Sequence, residues 1–227
     1  MNNRHRDARD LSLFLAAFFI LWTLRATVFF FVDESIAAPK WRAAYSDLLK
    51  LALWVLPAAG YGFWMKGARP AKYLGLSVLP NPRNWLWCLV ITAVFLLATT
   101  ASELANGKSL STRGLSALPP VLVLLQLVIS PLLEELFFRG MVLRELLGIL
   151  PTVLALLLDS VLFVGAHLPY WLSHGGPNRT MWANSFGIFV FSVVASLLFT
   201  RGGSIWPPTL AHVSNNILAA LLVANYA

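Results

Sequence analysis

Seven apolar segments, each close to the length of a bilayer-spanning helix, constrain the fold of this chain more than any other feature. A helix needs about 20 consecutive apolar residues to cross the hydrocarbon core of a membrane. The segments cover residues 11–32, 48–65, 84–102, 120–147, 151–172, 183–200 and 204–225. The connections between them are too short to hold a soluble domain. We therefore expect an all-α, polytopic transmembrane helical bundle with about seven to eight spans.

The composition excludes a soluble protein. Of the 227 residues, 58% are hydrophobic and only 12% are charged, whereas soluble domains carry about 25% charged residues. The formal net charge is +7, but the basic residues are scattered through short loops instead of forming one patch. That distribution indicates membrane orientation, so we predict contact with membrane lipids and no nucleic-acid partner.

Positive charge in the short loops predicts the orientation of the chain in the membrane. If the N-terminus is cytoplasmic, ten Lys and Arg residues fall on the cytoplasmic side and six on the other side, with Lys50 among the six. Cytoplasmic loops carry an excess of basic residues. We therefore predict a multi-pass protein of the cell inner or plasma membrane, with a cytoplasmic N-terminus and a C-terminus outside.

An acidic pair followed by an arginine lies in the middle of the fourth apolar segment. The run is E-E-L-F-F-R, with Glu134, Glu135 and Arg139. Charged side chains at membrane depth cost several kcal/mol on insertion scales, so they indicate a functional site by default. Glu135 and Arg139 are four residues apart and are expected to form an ion pair. Glu134 lies about 100° away on the face of Ser130, so we expect it to face a cavity without a close cation. A structural ion pair between helices is the alternative.

Two later segments each add a histidine to an apolar run. His167 ends D-S-V-L-F-V-G-A-H, in which Asp159 and Phe163 lie on the same helix face. His212 and Asn216 are four residues apart, so both project from one face of the last segment and can donate hydrogen bonds to an oxyanion. The alternatives are an interfacial role for His167, helix packing for Asp159 and interhelical hydrogen bonds for the other two.

Taken in order, E-E-L-F-F-R, F-V-G-A-H and H-V-S-N-N resemble the three motifs of the CPBP family. This family comprises the CAAX prenyl endopeptidases and the bacteriocin-processing, Abi-type membrane proteins. Its patterns are E-E-x-x-x-R, F-x-x-x-H and H-x-x-x-N or H-x-x-x-D. The resemblance covers residues 120–225. The short connections predict a single integral membrane domain over residues 1–227, and the resemblance implies a catalytic core at 120–225, which leaves accessory spans at 1–118.

The resemblance also implies an intramembrane glutamic-type endopeptidase that needs no cofactor. Its substrate would be a membrane-associated or lipidated protein or peptide. Glu134 would activate a water molecule that His167 helps to position, and His212 and Asn216 would stabilise the oxyanion. The supporting residues would be Glu135 and Arg139, which hold the constellation, and Phe163, which shapes the wall of the site. The expected site is a water-accessible cavity between the fourth, fifth and seventh spans, although straight spans would place His167 nearer the outer membrane face than Glu134.

Three other interpretations stay open. Two carboxylates and two histidines suit a zinc site, although the H-E-x-x-H helix of many zinc proteases is absent. A catalytically silent protein of the same fold could act in immunity or as a scaffold. A proton-coupled transporter could use Glu134 and Asp159, but no internal repeat supports it.

Overall fold

Long helices account for most of the fold in this computed structural model, which describes residues 3–224. The helices are α1 (Asn3–Thr27), α2 (Phe30–Ser35), α3 (Pro39–Lys66), α4 (Pro70–Tyr73), α5 (Pro82–Ala105), α6 (Arg113–Ser116), α7 (Pro120–Ile149), α8 (Thr152–His174), α9 (Arg179–Thr200) and α10 (Trp206–Leu221). Strands β1 (Lys108–Leu110) and β2 (Leu222–Ala224) form one antiparallel pair. Residues 1, 2 and 225–227 lie outside the described residues. Both ends of the predicted domain 1–227 and the last residue of the seventh predicted span, 204–225, therefore also lie outside the described residues.

The sequence sets the ends of the long helices in familiar ways. Helices α3, α5 and α7 begin at a proline, which suits the first helical turn because its missing N–H has no partner there anyway. The side chain of Asn81 caps α5 by accepting a hydrogen bond from the backbone N–H of Asn84 at 2.9 Å. Gly67 ends α3 in the left-handed conformation, with φ of 60°.

The all-α, polytopic fold class is confirmed. In the part of the chain that the structure describes, six helices are long and apolar enough to cross a membrane: α1, α3, α5, α7, α8 and α9. Large apolar side chains point outward from them, such as Leu97, Val153 and Phe186, which are 70%, 68% and 69% exposed. In a membrane these side chains face lipid.

The seventh apolar segment forms a shorter helix than its length predicts. Helix α10 has 16 residues, or about 24 Å at 1.5 Å per residue, against a hydrocarbon core of about 30 Å. The chain then turns extended, and Leu222 pairs with Leu110 in the two-stranded sheet. Pairing with β1 thus replaces the last turns of the expected span.

Helix α7 is central, and the N-terminal helices pack directly against it. Helices α1, α3, α8 and α9 contact α7, while α8 also packs on α1 and α9. Aromatic rings fill the centre: Phe137 lies 4.4 Å from Phe18 of α1 and 5.5 Å from Trp54 of α3, measured between ring centroids. The spans before residue 118 therefore share one core with the motif helices.

Two of the long helices contain π-helical segments close to charged residues. In α3, Leu51–Val55 is π-helical and follows Lys50 directly. Helix α7 has two π-helical segments, Leu125–Ile129 and Phe138–Leu143, which flank the α-helical segment Ser130–Phe137. Such segments occur often at functional sites because they change the direction in which nearby side chains project.

Candidate functional site

Glu134 of α7 forms an ion pair with Lys50 of α3. The Lys50 Nζ lies 2.5 Å from Glu134 Oε1, and it also donates to the hydroxyl of Ser130. Both charged side chains are largely buried, with 13% and 9% of their surface exposed. The expectation that Glu134 has no close cation is therefore wrong, and so is the assignment of Lys50 to a loop at the membrane surface. A helix that carries none of the three motifs supplies this cation.

Glu135 and Arg139 form the ion pair that their i, i+4 spacing predicts. Arg139 Nη1 lies 3.3 Å from Glu135 Oε1 and Nε lies 3.2 Å from Oε2, with both side chains fully buried. Arg139 Nη2 also donates to the backbone carbonyl and the hydroxyl of Ser192, at 3.0 and 2.7 Å. These contacts fasten α7 to α9.

Asp159 of α8 completes the buried charge cluster. Its Oδ2 lies 3.6 Å from Arg139 Nε and accepts a hydrogen bond from the hydroxyl of Ser196 at 2.8 Å. One arginine thus faces two carboxylates, Glu135 and Asp159, from two helices. Since Asp159 is fully buried and bonded to α9, it joins helices and does not face the cavity described below.

His212 lies between the two glutamates. Its Nδ1 donates to Glu135 Oε1 at 2.7 Å, and its Nε2 lies 3.9 Å from Glu134 Oε2. The contact with Glu135 fixes the orientation of the ring, so that Nε2 faces the oxygen of Glu134 that Lys50 does not hold. The imidazole connects the buried cluster to Glu134.

His167 is oriented by its own helix. Its Nδ1 donates to the backbone carbonyl of Phe163 at 2.8 Å, which leaves Nε2 available for other partners. The ring packs against Trp171, with 5.5 Å between centroids. His167 and Glu134 line the same cavity.

The other two motif residues lie at the edge of this arrangement. Phe163 is 1% exposed, and its ring centroid lies 4.6 Å from the Arg139 guanidinium carbon. It therefore packs against the buried charge cluster and is not among the residues that line the cavity. Asn216 lies one turn after His212 on α10 and is half-buried. Within the described residues Asn216 makes no hydrogen bond, and its amide is not held by a neighbour.

A cavity of about 490 Å³ reaches Glu134 from the protein surface. Seventeen residues line it: Trp22, Arg25, Asp33, Glu34, Pro39, Arg42, Ala43, Ser46, Lys50, Trp54, Gln126, Glu134, Ala166, His167, Tyr170, Trp171 and His174. Glu34 and His174, which lie 4.0 Å apart, mark its mouth where α2 and the C-terminal end of α8 meet. The walls combine aromatic rings with a few charged groups, as in many ligand sites.

The position of the cavity differs from the expected one. Its walls come from α1, α2, α3, α7 and α8, so ten of the seventeen lining residues precede residue 118. The sequence predicts that α10 forms part of the wall, but this helix contributes no lining residue. Its His212 instead contacts Glu134, with 3.9 Å between Nε2 and Oε2. Sequence reasoning missed Lys50, Trp54 and the other α3 residues because they belong to no motif. The one available signal was Lys50 itself, a lysine within the predicted apolar segment 48–65.

The described residues do not contain a set of ligands arranged for a metal ion. No group of three or more His, Cys, Asp and Glu side chains in residues 3–224 has the geometry to hold one. Two of the proposed ligands are engaged elsewhere, since Glu134 binds Lys50 and Glu135 binds both Arg139 and His212.

Comparison with known families supports the motif assignment. Residues 116–218, slightly less than half of the chain, match the family described as "Type II CAAX prenyl endopeptidase Rce1-like". This segment contains every motif residue from Glu134 to Asn216. Comparison with curated proteins and with solved structures gave no match. The family match over residues 116–218 confirms the resemblance of this segment, and with it of the three motifs, to the CPBP family of CAAX prenyl endopeptidases.

Proposed function

We propose that this protein is an intramembrane endopeptidase that hydrolyses a peptide bond with a water molecule activated by Glu134. The single observation that carries the proposal is the position of the Glu134 carboxylate, which lines the cavity together with His167 and has its Oε2 3.9 Å from His212 Nε2. The family match supports the same class of reaction. The substrate is a membrane-associated or lipidated protein or peptide, because the cavity lies among membrane-spanning helices.

The two oxygens of Glu134 have different surroundings. Oε1 is bound by Lys50 and Ser130, whereas Oε2 makes no hydrogen bond within residues 3–224 and faces His212 Nε2. We assign Oε2 as the oxygen that accepts the proton of the water. Lys50 and Ser130 then hold the carboxylate in one orientation.

Each group has one task in the proposed reaction. Glu134 takes a proton from water while His167 Nε2 positions that water, and the hydroxide attacks the carbonyl carbon. His212 and the amide of Asn216 donate hydrogen bonds to the oxyanion. The proton held by Glu134 passes to the leaving nitrogen as the C–N bond breaks. No cofactor is required in this scheme.

The orientation of the protein determines which substrates reach the cavity. The structure places Lys50 and Arg139 inside the bundle, so nine basic residues remain at the end that carries the N-terminus: Arg4, Arg6, Arg9, Lys66, Arg69, Lys72, Arg83, Arg144 and Arg201. Six lie at the opposite end: Arg25, Lys40, Arg42, Lys108, Arg113 and Arg179. We propose that the N-terminal end is cytoplasmic, in the inner or plasma membrane. The mouth of the cavity lies at the other end, so the substrate segment enters from outside the cytoplasm.

A second candidate function is a catalytically silent membrane protein of the same fold that acts in immunity or as a scaffold. The ion pair between Lys50 and Glu134 favours it, because Lys50 already occupies the carboxylate that would have to accept the proton of the water. Asn216, which has no hydrogen bond in the described part of the chain, is also not fixed for oxyanion binding.

The experiment that separates the two functions compares the termini of all membrane proteins in cells that carry the native chain or Glu134→Gln. Glu103→Gln is the matched control, because Glu103 pairs with Lys108 at 2.7 Å far from the cavity. A set of cut ends that is present with the native chain and the control but absent with Glu134→Gln supports the protease. If no terminus changes while deletion of the protein still alters the cells, the silent function replaces it.

A further inference from the structure

A second cavity lies at the end of the bundle that carries the N-terminus. Its volume is about 560 Å³. The residues that line it are Lys66, Gly67, Ala68, Arg69, Lys72, Tyr73, Val78 and Arg144. Four of these eight side chains are basic, and the lining contains no Asp or Glu. The cavity is separate from Glu134 and takes no part in the proposed reaction.

Only one of the four basic side chains is neutralised. Lys66 Nζ lies 2.8 Å from Glu145 Oε2 and 3.0 Å from Asp7 Oδ1. Arg69, Lys72 and Arg144 have no carboxylate within ion-pair distance in the described part of the chain. Three positive charges thus remain uncompensated around one concave site, which is a strong attraction for an anion.

Arg144 is built into the wall and does not extend freely into water. Its Nε donates to the carbonyl of Gly140 and its Nη2 to the carbonyl of Gly203, each at 3.1 Å. Its Nη1 makes no hydrogen bond within residues 3–224. The guanidinium is therefore oriented by the backbone while it retains donors for a ligand. A fixed guanidinium suits the oxygen atoms of a phosphate group.

Tyr73 keeps the acidic neighbour away from the ligand space. Its hydroxyl donates to Glu145 Oε1 at 2.8 Å, and Lys66 holds the other carboxylate oxygen. Burial, together with the nearby Glu145 charge, raises the pKa of the Tyr73 hydroxyl, so the hydroxyl stays protonated and keeps donating. Glu145 is satisfied by these two partners behind the cavity.

The location of the cavity indicates the source of the anion. Lys66 is the last residue of a membrane-spanning helix, and the preceding turn carries Phe63 and Trp64, which are 55% and 79% exposed. Exposed aromatic side chains next to basic residues at the end of a span are typical of the headgroup level of a bilayer. Basic pockets between spans at the cytoplasmic face bind anionic lipid headgroups.

We propose that this cavity binds the phosphate of an anionic phospholipid, with Arg69, Lys72 and Arg144 around the phosphate and the acyl chains beside Phe63 and Trp64. The site would select anionic over zwitterionic lipid, because a zwitterionic headgroup brings its own cation into a basic cavity. Bound lipid would tie the loop after α3 to α7.

The test measures lipid binding to the purified full-length protein. Native mass spectrometry, after delipidation in detergent, titrates phosphatidylglycerol and phosphatidylcholine against the native chain and against Arg69→Gln/Lys72→Gln. Both substituted side chains are exposed and unpaired, so this variant should keep the native melting temperature. The control is Arg113→Gln/Arg179→Gln, which removes two exposed basic residues from the opposite end.

We expect phosphatidylglycerol to bind the Arg69→Gln/Lys72→Gln variant roughly thirtyfold more weakly than the native chain, from about a factor of five for each basic residue at a membrane surface. The control should bind like the native chain. Equal phosphatidylglycerol affinity of the variant and the native chain would overturn the proposal. So would native binding that does not distinguish the two lipids. Displacement of phosphatidylglycerol by millimolar inorganic phosphate would instead assign the cavity to a free anion.

Discussion

Lys50 and Glu134 are 84 residues apart in the chain, yet their side chains form an ion pair at the inner end of the cavity, with 2.5 Å between Nζ and Oε1. The pair exists because α3 packs against α7, where Trp54 and Phe137 meet with 5.5 Å between ring centroids. A span without any family motif therefore completes the site. The behaviour of Glu134 depends on this lysine as much as on its own motif.

Substitution of Lys50 by methionine should lower the free energy of unfolding by about 3 kcal/mol, because it leaves the Glu134 carboxylate largely buried without its cation. The double variant Lys50→Met/Glu134→Gln should be more stable than Lys50→Met alone, since it leaves no unpaired charge. Thermal unfolding in detergent measures both. The control is Lys108→Met, whose more exposed pair with Glu103 is worth less than about 1 kcal/mol. A double variant no more stable than the single one would show that the two charges are not coupled.

Arg139→Ala should reduce both stability and activity. The loss of about 3–5 kcal/mol follows because Glu135 and Asp159 stay buried without a cation. Arg139→Lys should recover only part of this, since one ammonium cannot replace the contacts that the guanidinium makes with Glu135, Asp159 and Ser192. The melting temperature and the rate of cleavage provide the two measurements. A native melting temperature for Arg139→Ala would contradict the role of this cluster.

Asn216→Ala should leave the melting temperature unchanged while it lowers kcat by about 10²–10³-fold, the usual effect of removing one oxyanion donor. The unchanged stability follows because Asn216 makes no hydrogen bond within the described residues. KM should stay close to its native value, since the interaction forms only in the transition state. The control is Asn215→Ala on the same helix turn. Native kcat for Asn216→Ala would remove this residue from the proposed site.

Exhaustive removal of metal ions should leave the cleavage rate unchanged. The reason is that the Glu134 and Glu135 carboxylates are engaged by Lys50, Arg139 and His212 and do not form a ligand set. Elemental analysis measures the metal content of the purified protein, and an activity assay after chelation measures the cleavage rate. Activity that disappears on chelation and returns with added zinc would restore the zinc mechanism.

A cysteine at the mouth of the cavity should react with a membrane-impermeant maleimide added outside intact cells. Ser35→Cys places it beside Glu34 at the mouth, and Lys72→Cys places it at the basic end; both positions are exposed. The native Cys88 is buried and should stay unlabelled. We expect labelling of Ser35→Cys in intact cells and of Lys72→Cys only after the cells are opened. The reverse pattern would place the mouth in the cytoplasm.

Local sequence determined the parts of this protein that depend on short spacing. The apolar segments predict the spanning helices, and Pro120 begins α7 where the sequence places it. Four-residue spacing predicts the contact between Glu135 and Arg139, because residues four apart in a helix are neighbours whatever surrounds them. The order of the three motifs predicts the family, which the match over residues 116–218 confirms.

Tertiary structure alone decided which helices meet and therefore which charges are partners. The sequence predicts a position at the membrane surface for Lys50, since an isolated lysine near the end of an apolar segment usually extends to the membrane interface. Only the packing of α3 on α7 brings it to Glu134. The π-helical segments next to both residues also change side-chain directions in a way that regular helical spacing does not predict. The length of α10 also depends on tertiary structure, because the chain after Leu221 pairs as β2 with β1 and does not continue the helix. Contacts between residues distant in the chain depend on the packing of whole helices, and no local pattern records that packing.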